Sequence, residues 1–146
     1  MKVALYKGKK RAFNRLVAWW TRSDYSHCEV LFEYDLKTNT YLCASSSYLD
    51  GGIRFKWINL DAPHWDIVEI KGDIEKVREW YKLRLGRPYD VKGIVGCVVR
   101  RLPASNDKWF CSSSIASALG YPEPWRVLPV DLKSIADFEL TNVEYK

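Results

Sequence analysis

CEVLFEYDLKTNTYLCASSSYLDGGIRFKWI, residues 28–58, is the stretch that decides the fold. CEVLFEY (28–34) reads as a strand, TNT (38–40) as a polar turn, and YLCASSS (41–47) as the antiparallel partner. Asp50-Gly51-Gly52 is a second turn signal. IRFKWI (53–58) then alternates apolar and charged residues with period two, the pattern of a half-exposed strand.

Working outward, VALY (3–6) reads as a short strand and WDIVEI (65–70) as a further one. Between Arg11 and Thr21, apolar residues at 13, 16, 17, 19 and 20 follow helical spacing, and Ser23-Asp24 breaks the helix. Asp73 is a helix N-cap, with Lys76 where a capping box would place Glu. Apolar residues at 74, 77, 80, 81 and 85 form that helix's stripe, and Gly86 closes it. Pro88 bends the chain before YDVKGIVGCVVRR (89–101), a second helix or helical turn, and PASND (103–107) is a loop. CSSSIASALG (111–120) has helical spacing and ends at Gly120, PEPWRVLP (122–129) is irregular, and DFELTNVEY (137–145) is expected to close the chain as an edge strand. A run of antiparallel strands followed by helices is the order of an α+β fold. With no internal repeat or linker, residues 1–146 read as one domain.

Composition narrows the function classes. The chain is 47% hydrophobic and 28% charged, and its seven Trp and nine Tyr suggest a groove or surface of apolar character as well as a core. No segment reaches the roughly 18 apolar residues of a membrane span, and the apolar run after Lys2 is too short for a signal peptide. A cytoplasmic protein is the expectation. Cys28, Cys43, Cys97 and Cys111 show no CxxC spacing, so free thiols are expected, and neither a disulfide framework nor zinc. The net charge is +5, with basic clusters at Lys7, Lys9, Lys10, Arg11 and Arg15 and at Arg100 and Arg101. No nucleic-acid motif accompanies them, so they read as solvated faces and no specific nucleic acid is expected as a partner.

Chemistry rests on few residues. Only His27 and His64 are histidines; His64 lies beside Pro63 in a loop and reads as a surface or packing residue. His27 stands at the entrance to a strand, with Glu29 two residues on and hence on the same face. Cys111 lies at or just before a first helical turn. Unpaired backbone N–H groups and the positive end of the helix dipole favour the thiolate there. An adjacent imidazole would complete an activated nucleophile, and the same N–H groups could form part of an oxyanion hole. Cys28 and Cys43 fall inside strands and Cys97 in an apolar helix, so these three read as packing residues.

Four segments carry a resemblance: YSHCEV (25–30), SSYLDGGIRFK (46–56), GRPYDVKG (86–93) and KWFCSS (108–113). In this order the chain resembles the circularly permuted, NlpC-type, papain-like amidases (the YaeF/YiiX-like branch), a family with small bacteriophage and bacterial members. His27 precedes Cys111 by 84 positions, the order of permuted members. The resemblance implies an antiparallel sheet packed against helices, Cys111 as nucleophile, His27 as base, and Tyr89 as an active-site tyrosine able to donate to an oxyanion. It implies a third polar residue orienting the imidazole: Glu29, or Ser45 or Ser47 on the next strand. It also implies acyl transfer without metal or organic cofactor, on a peptide, peptidoglycan-fragment or acyl-lipid substrate. One departure concerns substrate contacts: the family often carries Glu two residues after the nucleophile, where this chain has Ser113. Two other classes compete. One is a non-catalytic binding module using an aromatic groove on the same fold. The other is a basic nucleic-acid accessory protein, which leaves the Cys/His pairing unexplained.

Overall fold

The strands read from 28–58 form as a meander, extended on one side by two more. The computed structural model describes residues 1–8, 15, 18–19, 22–60, 63–94 and 107–141. Its strands are β1 (Lys2–Tyr6), β2 (His27–Asp35), β3 (Thr40–Ser47), β4 (Gly52–Ile58) and β5 (Trp65–Glu69). They make one antiparallel sheet in the order β4-β3-β2-β1-β5. The helices are α1 (Ile74–Leu83), α2 (Cys111–Ala118) and α3 (Pro129–Thr141), with a short 3-10 turn at Pro124–Arg126. The fold is α+β. No helix among the described residues is long and apolar enough to cross a membrane.

Alternation along the strands sorts the sheet into two faces. Val3, Leu5, Cys28, Val30, Ala44 and Ile53 face the helices and form the main core with Val77, Tyr81, Ile115, Leu132 and Ala136. Each large aliphatic side chain buried there contributes about 1.5–3 kcal/mol. Ala4, Leu31 and Cys43 face the other way, covered by Tyr41, Ile58, Leu60 and Trp65.

Helix α2 is the helix most deeply set into that core. Cys111 through Ala116 are all buried, which small side chains permit and which obliges every serine hydroxyl to find a partner. Ser112 Oγ donates to Val127 O at 2.7 Å, Ser113 Oγ to Phe110 O at 3.0 Å, and Ser114 Oγ to Cys111 O at 2.7 Å. The Ser114 hydroxyl also meets the Tyr81 hydroxyl at 2.8 Å, tying α2 to α1.

Local expectations met different outcomes. Asp73 caps α1 as expected, its Oδ1 accepting from the N–H groups of Glu75 at 3.1 Å and Lys76 at 3.2 Å. The helix ends at Leu83, so Leu85, read as part of its stripe, lies beyond it and is exposed. Of the helix read over 11–21, the described Arg15, Ala18 and Trp19 are helical. Ala18 is buried, but Trp19, expected on the apolar stripe, is 73% exposed. Residues 91–94 are helical, and Asp90 Oδ1 accepts from Gly93 N–H at 2.8 Å. Cys97, Arg100 and Arg101 lie outside the described residues, as do Lys9, Lys10 and Arg11.

The expected closing strand is a correction. Asp137–Thr141 are the end of helix α3, and the rest of that expected strand, residues 142–145, lies outside the described residues. Pro129 supplies a first helical position with φ already set, and Asp131 Oδ2 accepts from Leu128 N–H at 2.8 Å. Leu132 and Ala136, four apart, are both buried, and Lys133 bonds Asp137 at 2.6 Å. The alternation of FELTNV looked strand-like only when read apart from Leu132 and Ala136.

The β3–β4 hairpin is lashed to the segment after α1 by close main-chain contact. Ile53 N–H donates to Arg87 O at 2.9 Å, and Gly86 N–H donates to Ile53 O at 2.9 Å. At Gly52 (φ 153°) an added Cβ would stand 2.0 Å from Arg87 O. Gly52→Ala is therefore expected to destabilise the protein by roughly 1–3 kcal/mol through backbone strain, read as a lower urea midpoint. An unchanged midpoint would mean the approach at Gly52 carries no constraint.

Candidate active site

The N-terminus of α2 presents Cys111 with Phe110 as N-cap. The first intrahelical bond runs from Ser114 N–H to Phe110 O at 3.0 Å. The N–H groups of Cys111, Ser112 and Ser113 therefore precede the helical ladder, at the positive end of the helix dipole. Ser113 Oγ also accepts from Phe110 N–H at 2.9 Å. It thus makes the return bond that the third helical residue of a capping box makes.

His27 opens β2. Its Nε2 meets Glu29 Oε1 at 2.7 Å, a direct bond between two side chains on the same strand face. That leaves Nδ1 for Cys111, whose sulfur is the other hydrogen-bonding neighbour of the ring. Burial would depress the His27 pKa, but the hydrogen bonds to Cys111 and Glu29 and their charges prevail, raising it to about 10.

At Cys111 the largest influence is a hydrogen bond from the Cys28 thiol, which favours the thiolate. Burial opposes it, and His27 and the Cys28 backbone N–H add to it, holding the Cys111 pKa well below that of an ordinary thiol. Cys28 is affected in the opposite sense. Burial, and then its role as donor beside a negative sulfur, push its own pKa well above the ordinary value.

Glu29 is fully buried. Burial pushes its carboxyl up, but Arg54 and His27 outweigh that and keep it lowered, hence ionised. Arg54 grips it with both terminal nitrogens, Nη1 to Oε2 at 2.7 Å and Nη2 to Oε1 at 2.5 Å. Arg54 Nε donates to Asp50 Oδ2 at 2.9 Å, and Lys56 Nζ donates to Asp50 Oδ1 at 2.9 Å. The order of groups is thus Cys111, His27, Glu29, Arg54, Asp50, Lys56.

Sheet register explains how Arg54 arrives. Arg54 lies opposite Ser45, and Val30 lies opposite Ala44, so β3 places Ser45 between Arg54 and Glu29. Two strand spacings make roughly 9–10 Å, a distance the guanidinium covers because serine between them is small. The Ser45 hydroxyl is turned to Cys28 O at 2.7 Å and Ser46 O at 3.3 Å, while Ser47 Oγ accepts from Asp50 N–H at 3.4 Å. Of the three candidates for orienting His27, Glu29 is the one bonded to it.

Tyr89 is fixed through its backbone. Its N–H donates to Gly51 O at 3.2 Å, and it forms a bridge to Trp109, two residues before Cys111. Burial first, then the negative Cys111 sulfur, push its hydroxyl pKa well up, so it stays a protonated donor. His27, Glu29, Arg54 and Tyr89 line a cleft of about 260 Å³, with Tyr6, Tyr48, Ile58 and Trp65 among its walls. Cys111 is not among the residues lining this cleft and is 3% exposed. His64 takes the packing role expected of it, with its ring centroid 6.4 Å from that of Tyr6.

Sequence reading did not single out Arg54, Asp50 or the contact of Cys28 with Cys111. The period-two pattern of IRFKWI put Arg54 and Lys56 on one face, but it gave no sign of a buried carboxylate two strands away. No family model matches the chain, and a search of curated proteins finds no match.

Removing Arg54 leaves a buried carboxylate with one partner fewer. Arg54→Met is expected to destabilise by about 3–5 kcal/mol, the cost of breaking a buried pair, as measured by denaturant unfolding. The pH dependence follows from three shifts. The lowered Glu29 contributes stability present above its unfolded pKa of about 4.3 and lost as pH falls through its folded value. The raised His27 contributes below about 6.5, losing it as pH rises through its folded pKa of about 10. The lowered Cys111 contributes above about 8.5, losing it as pH falls. The Cys111–His27 pair therefore gives a plateau between about pH 6.5 and 8.5, with a decline on the alkaline side. His27→Ala should make that alkaline limb shallower in unfolding curves, the remainder coming from the buried Cys28 and Cys43 thiols, whose raised pKa values also cost stability as pH rises past about 8.5; a limb of unchanged slope would mean His27 does not contribute to it.

Proposed function

We propose that the chain is a cysteine hydrolase on a circularly permuted papain-like fold, cleaving an amide or ester bond through an acyl-enzyme on Cys111. The observation that carries this reading is the meeting of Cys111, at the N-terminus of α2, with an imidazole whose other nitrogen is held by buried Glu29. A His-before-Cys chain order and a sheet packed on the Cys helix support the fold.

In this reading the Cys111 thiolate attacks the substrate carbonyl carbon. The tetrahedral oxygen is stabilised by backbone N–H groups at the start of α2 and by the Tyr89 hydroxyl. His27, protonated at rest, gives its Nδ1 proton to the leaving group as the bond breaks, leaving the acyl thioester. The neutral ring then takes a proton from water, which hydrolyses the thioester. Glu29 holds the ring and balances its charge, and Arg54 positions Glu29. A bacterial wall peptide is the first substrate class, and an acylated lipid or protein the second.

A second reading, a binding module that uses the aromatic cleft, draws on the near-complete burial of Cys111 and the ring-lined walls of Tyr6, Tyr48, Trp65 and Tyr89.

Alkylation of Cys111 by iodoacetamide separates the two. The hydrolase reading expects fast alkylation that persists well below pH 8, and in His27→Ala a rate that climbs only toward an ordinary thiol pKa near about 8.5. On a responsive amide, Cys111→Ala and His27→Ala should abolish turnover while circular dichroism stays native. Tyr89→Phe should lower kcat on the order of 10²-fold with little change in KM. Slow alkylation indifferent to His27 would sink the hydrolase and leave the binding module.

A further inference from the structure

The charged side chains lining the cleft are His27, Glu29, Asp50, Arg54 and Lys56. Four of these five have every nitrogen or every oxygen engaged. Glu29 meets His27 and Arg54 at Oε1 and Arg54 again at Oε2. Asp50 accepts from Lys56 at Oδ1 and from Arg54 at Oδ2. Arg54 thereby uses all three guanidinium nitrogens, and His27 gives Nε2 to Glu29 and, in the reading above, Nδ1 to Cys111. Lys56 differs. Its ammonium carries three N–H donors, and the bond to Asp50 is the one it makes among the described residues.

Exposure rises along the same network. The side chains of Glu29, Arg54, Asp50 and Lys56 are 1%, 14%, 26% and 53% exposed. The inner charges are therefore spent on one another, and an arriving molecule meets a cation at the open end. The walls beside it are apolar: Ile58 follows Lys56 by two residues on β4, on the same strand face, and β1 and β5 supply Tyr6 and Trp65. A compact ammonium on a flexible stem suits one carboxylate, whereas a phosphate dianion is better met by a guanidinium fork, and that of Arg54 is taken.

We infer that Lys56 is a specificity residue, binding a carboxylate of a peptide substrate about three residues from the bond under attack. This rests on the hydrolase reading of Cys111 and His27 and narrows its substrate from any amide or ester to an acidic peptide. Sheet geometry sets the spacing. His27 is on β2 and Lys56 on β4, with β3 between them. Two strand spacings span roughly 9–10 Å, and extended chain covers about 3.3–3.6 Å per residue. The carboxylate is a chain terminus or an acidic side chain, and the apolar walls hold the residues leading to it.

Thiol-directed peptides provide the test. N-iodoacetyl-alanine, -dialanine and -trialanine are compared, each as free acid and as carboxamide, by the rate of Cys111 alkylation read by peptide mass spectrometry. Iodoacetamide is run in parallel. Expected is a preference for acid over carboxamide of about three- to fivefold, the scale of a partly exposed ion pair. It should be largest for the three-residue probe and fall as salt is raised. Lys56→Gln should abolish the preference, Lys56→Arg keep it and Lys56→Glu invert it. Each acid rate is divided by that of its carboxamide on the same variant, so a general effect of substitution cancels. The amide of N-iodoacetyl-dialanyl-glutamate, set against its glutamine counterpart, distinguishes the sources: faster reaction assigns a side-chain carboxylate, and equal rates a chain terminus. Attraction by His27 alone would peak at the one-residue probe, and that profile in the wild type overturns the inference even where a variant fails to fold. Fast iodoacetamide alkylation with acid and carboxamide alike, or a preference that survives Lys56→Gln, overturns the role of Lys56 while the activated thiol stands. Slow iodoacetamide alkylation indifferent to His27 removes the hydrolase reading and this inference together.

Discussion

A carboxylate with no access to water stands in the middle of this structure, and the surrounding elements are arranged to keep it charged. Glu29 lies inside the sheet. Burial of an unpaired carboxylate would drive it to protonate, and a protonated Glu29 would lose its hold on both Arg54 and His27. The bidentate guanidinium prevents that, but only because β3 presents serine where Arg54 must cross. Asp50, at the hairpin turn, holds the guanidinium from its other edge. The orientation of one imidazole thus depends on a turn two strands away, and the close main-chain approach at Gly52 secures that turn against the rest of the fold.

The same electrostatics set the sulfur. Cys111 receives a helix end, an imidazolium, a thiol and a backbone N–H, each favouring the negative form against burial. Burial raises the cost of any mismatch, since a thiolate this far from water has no solvent to replace a lost partner. A nucleophile so supported is stable at rest, and its environment is arranged in advance for charge that moves during acyl transfer.

The sheet was legible from sequence because its strands alternate and its turns carry Asp-Gly-Gly and a polar TNT; both are local signals. Cys111 and His27 were legible because a helix start and a strand start leave marks in the residues beside them. Arg54 was not, because its meaning depends on which residue sits two strands away, and register across strands is not written in a local pattern. Cys28 was read as packing, and it does pack. Its contact with Cys111 depends on the angle at which α2 docks, which no spacing encodes. The C-terminal helix was misread because a short alternating run outweighed the four-residue spacing of Leu132 and Ala136.

The chain order has a consequence for synthesis. His27, Glu29, Arg54 and Asp50 all lie on a meander of neighbouring strands and their hairpin, whereas Cys111 comes 57 residues after Arg54. A chain made from its N-terminus can assemble the base, its carboxylate and its arginine by short-range pairing while the nucleophile is still untranslated. Until α2 docks, the Cys111 thiol lacks every partner that lowers its pKa, and the emerging chain carries an ordinary, unreactive sulfur. Reactivity is therefore the last property this polypeptide acquires, conferred by completion of the fold.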